Sequence, residues 1–206
     1  MYIIGITGGT GAGKSSAVNA LRTLGAYALD CDAIYHEVLS DNTEMIAEIE
    51  AHFNNVSSGG VIDRKKLGEI VWNDPAALQK LNEITHKFMN TEIDKRISAL
   101  KAQGVKIAAV DAIALIESGQ GKKCDIVVGI LAPQEKRLSR IMRRDNLTKE
   151  QALRRINAQQ PESFFREKCD HTLENIYDFP AEFEEKCIEF FKSIQGASYE
   201  QQSGNT

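Results

Sequence analysis

The sequence predicts an α/β fold with about five parallel strands in a sheet between helical layers. Three observations carry that prediction. Short, nearly continuous apolar runs recur at residues 2–6, 106–111 and 125–131, as strands buried on both faces do. Between and after them lie stretches with apolar residues at helical spacing. The first run leads through a glycine-rich turn directly into one of these helical patterns, and strand, loop and helix in that order open many parallel sheets.

The turn is Gly8-Gly9-Thr10-Gly11-Ala12-Gly13-Lys14-Ser15, which fits G-x-x-x-x-G-K-[ST], the phosphate-binding loop of nucleoside triphosphatases and kinases. Its context is right: Tyr2-Ile3-Ile4-Gly5-Ile6 precedes it, and Ala17, Val18, Leu21 and Leu24 follow at helical spacing until Gly25. A helix N-terminus attracts anions through its unpaired N–H groups and the positive end of its dipole. Glycines let the backbone approach a phosphate closely. Gly11, Ala12, Gly13, Lys14, Ser15 and Ser16 are therefore the expected ATP-binding residues, with Lys14 reaching the outer phosphates and the Ser15 hydroxyl on Mg²⁺.

Composition narrows the class. A chain of 206 residues with 42% hydrophobic residues can bury the core of one domain with insertions. A net charge of −4 argues against a general nucleic-acid binder. No apolar run approaches a membrane span and no basic-then-apolar leader precedes the first strand, so a cytoplasmic protein with no membrane partner is expected. Cys31, Cys124, Cys169 and Cys187 are scattered without a C-x-x-C and read as reduced thiols.

Taken in order, Tyr27-Ala28-Leu29 is a brief strand followed by Asp30-Cys31-Asp32. Residues two apart on a strand face the same side, so one or both carboxylates could meet a bound phosphate. Capping of a helix opening at Ala33 is the alternative. Residues 33–104 look helical throughout, apart from polar loops at Asn54-Asn55 and Ser57-Ser58-Gly59-Gly60. Asp63 is placed to cap a helix with Leu67, Ile70 and Val71, and Asp74-Pro75 to start another. Leu78, Leu81 and Ile84 form one stripe; Met89, Ile93, Ile97 and Leu100 form the next. So long an excursion between strands reads as an inserted subdomain, in which Arg64 and His86 are the suggestive polar residues.

Lys106-Ile107-Ala108-Ala109-Val110-Asp111 is the third strand, and Asp111 a candidate to hold a water on Mg²⁺. Asp125-Ile126-Val127-Val128-Gly129-Ile130-Leu131 is the fourth and should be central. From Gln134 to Arg155 eight basic residues (Lys136, Arg137, Arg140, Arg143, Arg144, Lys149, Arg154 and Arg155) face only three acidic ones, Glu135, Asp145 and Glu150. Leu138, Ile141 and Met142 lie on a first helix, Asp145-Asn146 ends it, and Thr148 with Gln151 forms a capping box for a second. A basic helical hairpin after the fourth strand suits a phosphoryl-transfer lid. His171-Thr172-Leu173-Glu174-Asn175 is placed for a fifth strand. Phe183, Cys187, Phe190 and Phe191 lie on a last helix, and a polar tail expected to be disordered fills residues 195–206.

These residues together resemble the dephospho-coenzyme A kinases, over residues 3 to about 175. The resemblance rests on Gly5-Ile6-Thr7-Gly8-Gly9-Thr10-Gly11-Ala12-Gly13-Lys14-Ser15, on Asp30-Cys31-Asp32 as the family's D-x-D, on Gly60-Val61-Ile62-Asp63-Arg64, on His86, on the lid from Gln134 through Gln159, and on Lys168-Cys169-Asp170 to Asn175. The chain departs from the family pattern in two places. Lys87 stands where a proline usually follows the histidine, and Ala112-Ile113-Ala114 replaces a Pro-Leu-Leu stretch between Asp111 and Glu117.

The resemblance implies a three-layer P-loop kinase fold with a helical substrate-binding insertion and a helical lid. The nucleotide-binding core would comprise residues 1–31, 105–133 and 168–206, the acceptor subdomain residues 32–104, and the lid residues 134–167. It also implies transfer of the ATP γ-phosphoryl group to the ribose 3′-hydroxyl of dephospho-coenzyme A, with Mg²⁺, by a protein expected to be monomeric. Asp32 would be the general base, Lys14 and Arg140 would stabilise the transferring group, and Asn175 would lie near adenine. Arg64 and His86 would bind the acceptor with Asp32, and Ser15 and Asp111 would hold the metal. Another P-loop kinase with a nucleoside or nucleotide acceptor is the alternative; a guanine-nucleotide switch would carry an N-K-x-D element, which is absent.

Overall fold

The structure is a computed structural model that describes the backbone of residues 1–72 and 74–203 and the side chains of residues 1–71 and 74–194. The chain divides into two compact units, residues 1–29 with 104–206, and residues 30–103.

The first unit is built on a five-stranded parallel sheet with strand order β2-β5-β1-β6-β7. β1 (Tyr2–Thr7) is its centre, and α1 (Lys14–Thr23) connects it to β2 (Tyr27–Asp30). β5 (Ile107–Asp111) and β6 (Ile126–Leu131) flank β1 in parallel register, Ile6 opposite both Asp111 and Val128. β6 is wholly buried, as its apolar run requires, but it lies one place off the centre. β7 (His171–Glu174) closes the sheet beside β6.

Alternation along these strands makes two faces. Ile4, Ile6, Val128 and Ile130 point to one side, where Ala17, Val18 and Leu21 of α1 meet Phe183, Cys187 and Phe191 of α9 (Pro180–Ser203). Phe183 and Phe191 are fully buried and contribute about 1.5–3 kcal/mol each. On the other side the absent side chains of two strand glycines admit neighbours. A Cβ on Gly5 would lie 2.6 Å from Leu115 Cδ2, and one on Gly129 would lie 2.9 Å from Cys169 Sγ.

After β6 come α6 (Gln134–Asp145), α7 (Lys149–Asn157) and α8 (Glu162–Lys168). Asn146, at φ 51°, ends α6, and Thr148 and Gln151 form the expected capping box of α7. Ile141, Ala152 and Ile156 make the small core of this hairpin. The expectation of a disordered tail is corrected: α9 continues through Ser203, while residues 204–206 lie outside the described residues. Extending a helix already nucleated and packed costs little, and residues 195–203 contain no proline to stop it.

The second unit is mainly helical, with α2 (Cys31–Asp41), α3 (Thr43–His52), α4 (Arg64–Trp72) and α5 (Pro75–Ala102). Asn42, Asp63 and Asp74 accept hydrogen bonds from amides at the starts of α3, α4 and α5. Two expectations change. The stripes beginning at Leu78 and Met89 are one 28-residue helix. The polar loop at Ser57-Ser58-Gly59-Gly60 is half of a hairpin, in which β3 (Ser57–Ser58) pairs antiparallel with β4 (Val61–Ile62). Gly59 and Gly60 have φ of 61° and 78°, the positive values that a two-residue type I′ turn requires. Strands of two residues are too short to leave a periodic signal.

Two predictions follow from this packing. Burial, assisted by neighbouring carboxylates, pushes the thiols of Cys124 and Cys187 up to about 12 and that of Cys169 up to about 11. A raised thiol pKa means less thiolate, about one part in a thousand or less at pH 8. Iodoacetamide at that pH should leave all three unmodified in the native chain and label them in guanidinium, as read by mass spectrometry. Rapid native labelling of Cys187 would contradict the packing. The second concerns Gly8, where φ is 135° and a Cβ would lie 2.2 Å from the backbone oxygen of Ile130. Strain and overlap with an immobile carbonyl should make Gly8→Ala cost ~3 kcal/mol, seen as a lower urea midpoint. An unchanged midpoint would show that β6 does not confine the loop.

Candidate functional site

Gly8 to Ser15 forms a tight loop between the end of β1 and the start of α1, with Ala12 N donating to Gly9 O at 3.1 Å. Gly13, at φ 107°, precedes α1 and brings no side-chain cap, and the first turn of the helix contains no acidic residue. That leaves the positive helix end to an outside anion. Lys14 Nζ donates to Gly8 O at 3.0 Å, which folds the ammonium back over the loop. Ser15 is exposed, and Ser16 is buried with its amide on Gly13 O.

The outside of the loop is held as closely as the inside is open. Arg137 Nε donates to Thr10 O at 2.9 Å. Arg140 Nη1 donates to Gly11 O at 3.1 Å and Ala12 O at 3.3 Å, and its Nη2 donates to Asn175 Oδ1 at 3.1 Å and Tyr177 O at 2.7 Å. Asn175, only 4% exposed, donates Nδ2 to Ala12 O at 2.9 Å. Gln159 completes the enclosure, accepting from Thr10 N and donating to Thr10 Oγ1. Cβ atoms on Gly9 and Gly13 would lie 2.3 Å from Arg137 Nη2 and 2.2 Å from Asn175 Nδ2. The loop glycines thus serve protein packing on the outer side as well as an anion on the inner side. Burial lowers the pKa of Arg137 and Arg140, opposed by Glu162 and Asp178 respectively.

The excess of basic residues sorts into distinct tasks. Lys136, Arg144, Arg154 and Arg155 pair with Asp178, Asp145, Glu150 and Asp145. Arg137 and Arg140 engage the loop, while Arg143 and Lys149 line an open groove with Leu138, Met142 and Leu147. Of the residues on the loop's outer side, the sequence singles out Arg140 and Asn175, but for the transferring phosphoryl group and the adenine and not for the loop's carbonyls. Thr10, Gln159 and the individual role of Arg137 are not singled out, because their partners lie 127 and 149 positions away in the chain.

Asp111 ends β5 level with Ile6, at the strand end that leads into the loop, and its Oδ1 is shielded from solvent. With Ser15 it offers a carboxylate and a hydroxyl, hard oxygen donors suited to Mg²⁺. No cluster of three or more His, Cys, Asp or Glu that could hold a metal occurs among the described residues.

Asp32, Arg64 and His86 belong to the second unit. Of the two readings of Asp30-Cys31-Asp32 the structure shows a helix cap, with the helix opening at Cys31 and not at Ala33: β2 ends at Asp30, which caps α2 by accepting from Asp32 N at 3.0 Å and Ala33 N at 3.1 Å. Asp32 is exposed in the first turn of that helix. Arg64 opens α4, and His86 is half-buried on α5. Tyr35, unnoticed in the sequence, has its hydroxyl pKa raised by burial and lowered in part by the charge of Arg64.

The dephospho-CoA kinase family profile matches residues 2–179. A dephospho-CoA kinase of Latilactobacillus sakei subsp. sakei (strain 23K) is 34% identical over 175 residues, which is 84% of this chain and 87% of the relative. A solved structure from Thermus thermophilus aligns with a TM-score of 0.76 at 30% identity, covering 95% of this chain and 97% of that one. The dephospho-CoA kinase from Campylobacter jejuni gives 0.68 at 29% identity, over 95% and 98%. With a phosphate loop at the centre of its sheet and a family match over nearly its whole length, the chain belongs to the dephospho-CoA kinase family and is an ATP-dependent kinase.

Proposed function

We propose that this chain transfers the γ-phosphoryl group of ATP to the ribose 3′-hydroxyl of dephospho-coenzyme A, the final step of coenzyme A synthesis. The observation that carries the proposal is the uncapped start of α1 behind a glycine loop with Lys14 folded over it, in a chain of this family. The amides of Gly11, Gly13, Lys14 and Ser15 and the Lys14 ammonium receive the phosphates, with Ala12 and Ser16 shaping the loop through their bonds to Gly9 O and Gly13 O. Lys14 exchanges the neutral Gly8 carbonyl for a charged oxygen, a stronger partner. Asn175 and Arg140 hold the loop from its outer side, and from there Asn175 borders the adenine and Arg140 lends its positive charge to the transferring group. Ser15 and Asp111 would hold Mg²⁺, whose role is to neutralise phosphate charge.

Residues 32–104 form the acceptor subdomain, where Arg64 and His86 bind dephospho-coenzyme A, and residues 134–167 form the lid. Residues 1–31, 105–133 and 168–206 form the nucleotide core. Asp32 accepts the proton of the 3′-hydroxyl as its oxygen bonds to the γ-phosphorus. The bond from that phosphorus to the bridging oxygen breaks, and ADP leaves with the electron pair. The reading carries with it a cytoplasmic monomer that uses neither nucleic acid nor membrane. No helix among the described residues is long and apolar enough to cross a membrane.

The direct test incubates purified protein with Mg-ATP and dephospho-coenzyme A and follows ADP by a coupled assay and coenzyme A by mass. Equal amounts of the two products are expected. ADP formed only with a nucleoside or nucleotide acceptor would reassign the substrate, and no ADP with any acceptor would refute the reading. Asp32→Asn should lower kcat by about 10²–10⁴-fold with ATP affinity unchanged. Wild-type turnover in that variant would remove Asp32 from the chemistry.

A further inference from the structure

We propose that Gln159 is a positioning residue for ATP, acting through Thr10 as one half of a clasp that fixes the phosphate loop to both ends of the α6–α7 hairpin of the lid. The proposal rests on the kinase reading. Its elements are three side chains and four hydrogen bonds. Thr10 N donates to Gln159 Oε1 at 2.9 Å, and Gln159 Nε2 donates to Thr10 Oγ1 at 2.6 Å. Arg137 Nε donates to Thr10 O at 2.9 Å, and Arg137 Nη2 donates to Gln159 Oε1 at 2.8 Å. The amide, carbonyl and hydroxyl of Thr10 are all engaged, and the residue is 8% exposed.

The placement of the two partners gives the clasp its meaning. Arg137 lies in the first turn of α6, where the lid begins, and Gln159 lies two residues beyond α7. Both ends of the basic hairpin therefore close on one residue of the loop, immediately before Gly11. There is no slack, since a Cβ on Gly9 would strike Arg137 Nη2 and one on Gly11 would lie 2.8 Å from Arg137 O. Thr10 N–H is turned to Gln159, so the anion-facing amides start at Gly11. Without Gln159 that amide and hydroxyl lose their partner, and Arg137 loses an acceptor. The loop then samples arrangements in which its amides no longer converge, and nucleotide binding bears the loss.

The chemistry of the site predicts which replacement restores function. Gln159 must accept two hydrogen bonds at one oxygen and engage a hydroxyl with the other terminal atom. A glutamate meets both demands, because the Thr10 hydroxyl can donate as well as accept and a carboxylate also pairs with Arg137. A leucine of similar size meets neither.

The test measures steady-state kinetics and calorimetric Mg-ATP binding on the full chain for the wild type, Gln159→Leu and Gln159→Glu. Gln159→Leu should raise KM and Kd for ATP about 10-fold and leave KM for the acceptor within about twofold. Gln159→Glu should return ATP affinity to within about threefold of wild type. If Gln159→Leu does not fold, Thr10→Val, which removes only the hydroxyl, should still weaken ATP binding about threefold. ATP affinity unchanged in the leading variant, or equal losses for both substrates without rescue by glutamate, would overturn the clasp. Should the wild type fail to phosphorylate dephospho-coenzyme A, the substrate reading falls while the calorimetry still judges the clasp.

Discussion

A loop that points its amides inward at an anion must turn its carbonyls outward, and each outward carbonyl needs a donor. This constraint organises the first unit. Thr10 O takes Arg137, Gly11 O takes Arg140, Ala12 O takes Asn175 and Arg140, and Gly8 O takes Lys14 until a phosphate claims its ammonium. Those donors come from the start of α1, from α6 and from the end of β7. The elements after β6 thus return to the loop made by the first fifteen residues. Unmet, each buried carbonyl would cost about 1–3 kcal/mol.

The same constraint explains how a chain of net charge −4 tolerates so basic a hairpin. Guanidinium groups placed on carbonyls are partly desolvated and are held there by hydrogen bonds, with Glu162 and Asp178 as counter-charges outside direct contact. The remaining cations cannot all crowd one anion. Asp145 alone takes Arg144 and Arg155 from the two helices of the hairpin, and Asp178 draws Lys136 to the loop that precedes α9. Exposed pairs of this kind contribute little stability. Their effect is geometric: they hold charge away from the loop and leave Arg137 and Arg140 to approach it.

Much of this was legible from local pattern. The glycine loop, the strands at β1, β5 and β6, the caps at Asp63 and Asp74 and the box at Thr148 are short-range signals, each decided within about five residues. What was not legible depends on distance or on small energies. The hairpin at Gly59-Gly60 is too short for periodicity, and the tail after Ile194 follows its helix, not its composition. The choice at Asp30-Cys31-Asp32 between carboxylates turned to a phosphate and a helix cap depended on where β2 stops, which spacing leaves open. The clasp on Thr10 joins residues 149 apart, so no window of sequence contains it.

The departure at Ala112 shows how the fold absorbs a change beside the site. Where the resemblance leads one to expect a proline, Ala112 has an N–H, and it donates to Ile6 O at 3.1 Å. The ladder between β1 and β5 thereby continues one rung past Asp111. Thr7, fully buried, adds its hydroxyl to Ile113 O at 3.0 Å. A proline would stiffen the chain after Asp111 through its ring; here two hydrogen bonds to β1 do so. Asp111 is thus bracketed by the strand that carries the phosphate loop, with Val110 level with Gly5 before it and Ala112 on Ile6 after it. Its position relative to the loop is set by the sheet itself, so the substitution changes the means of fixing this carboxylate and leaves its place at the strand end intact.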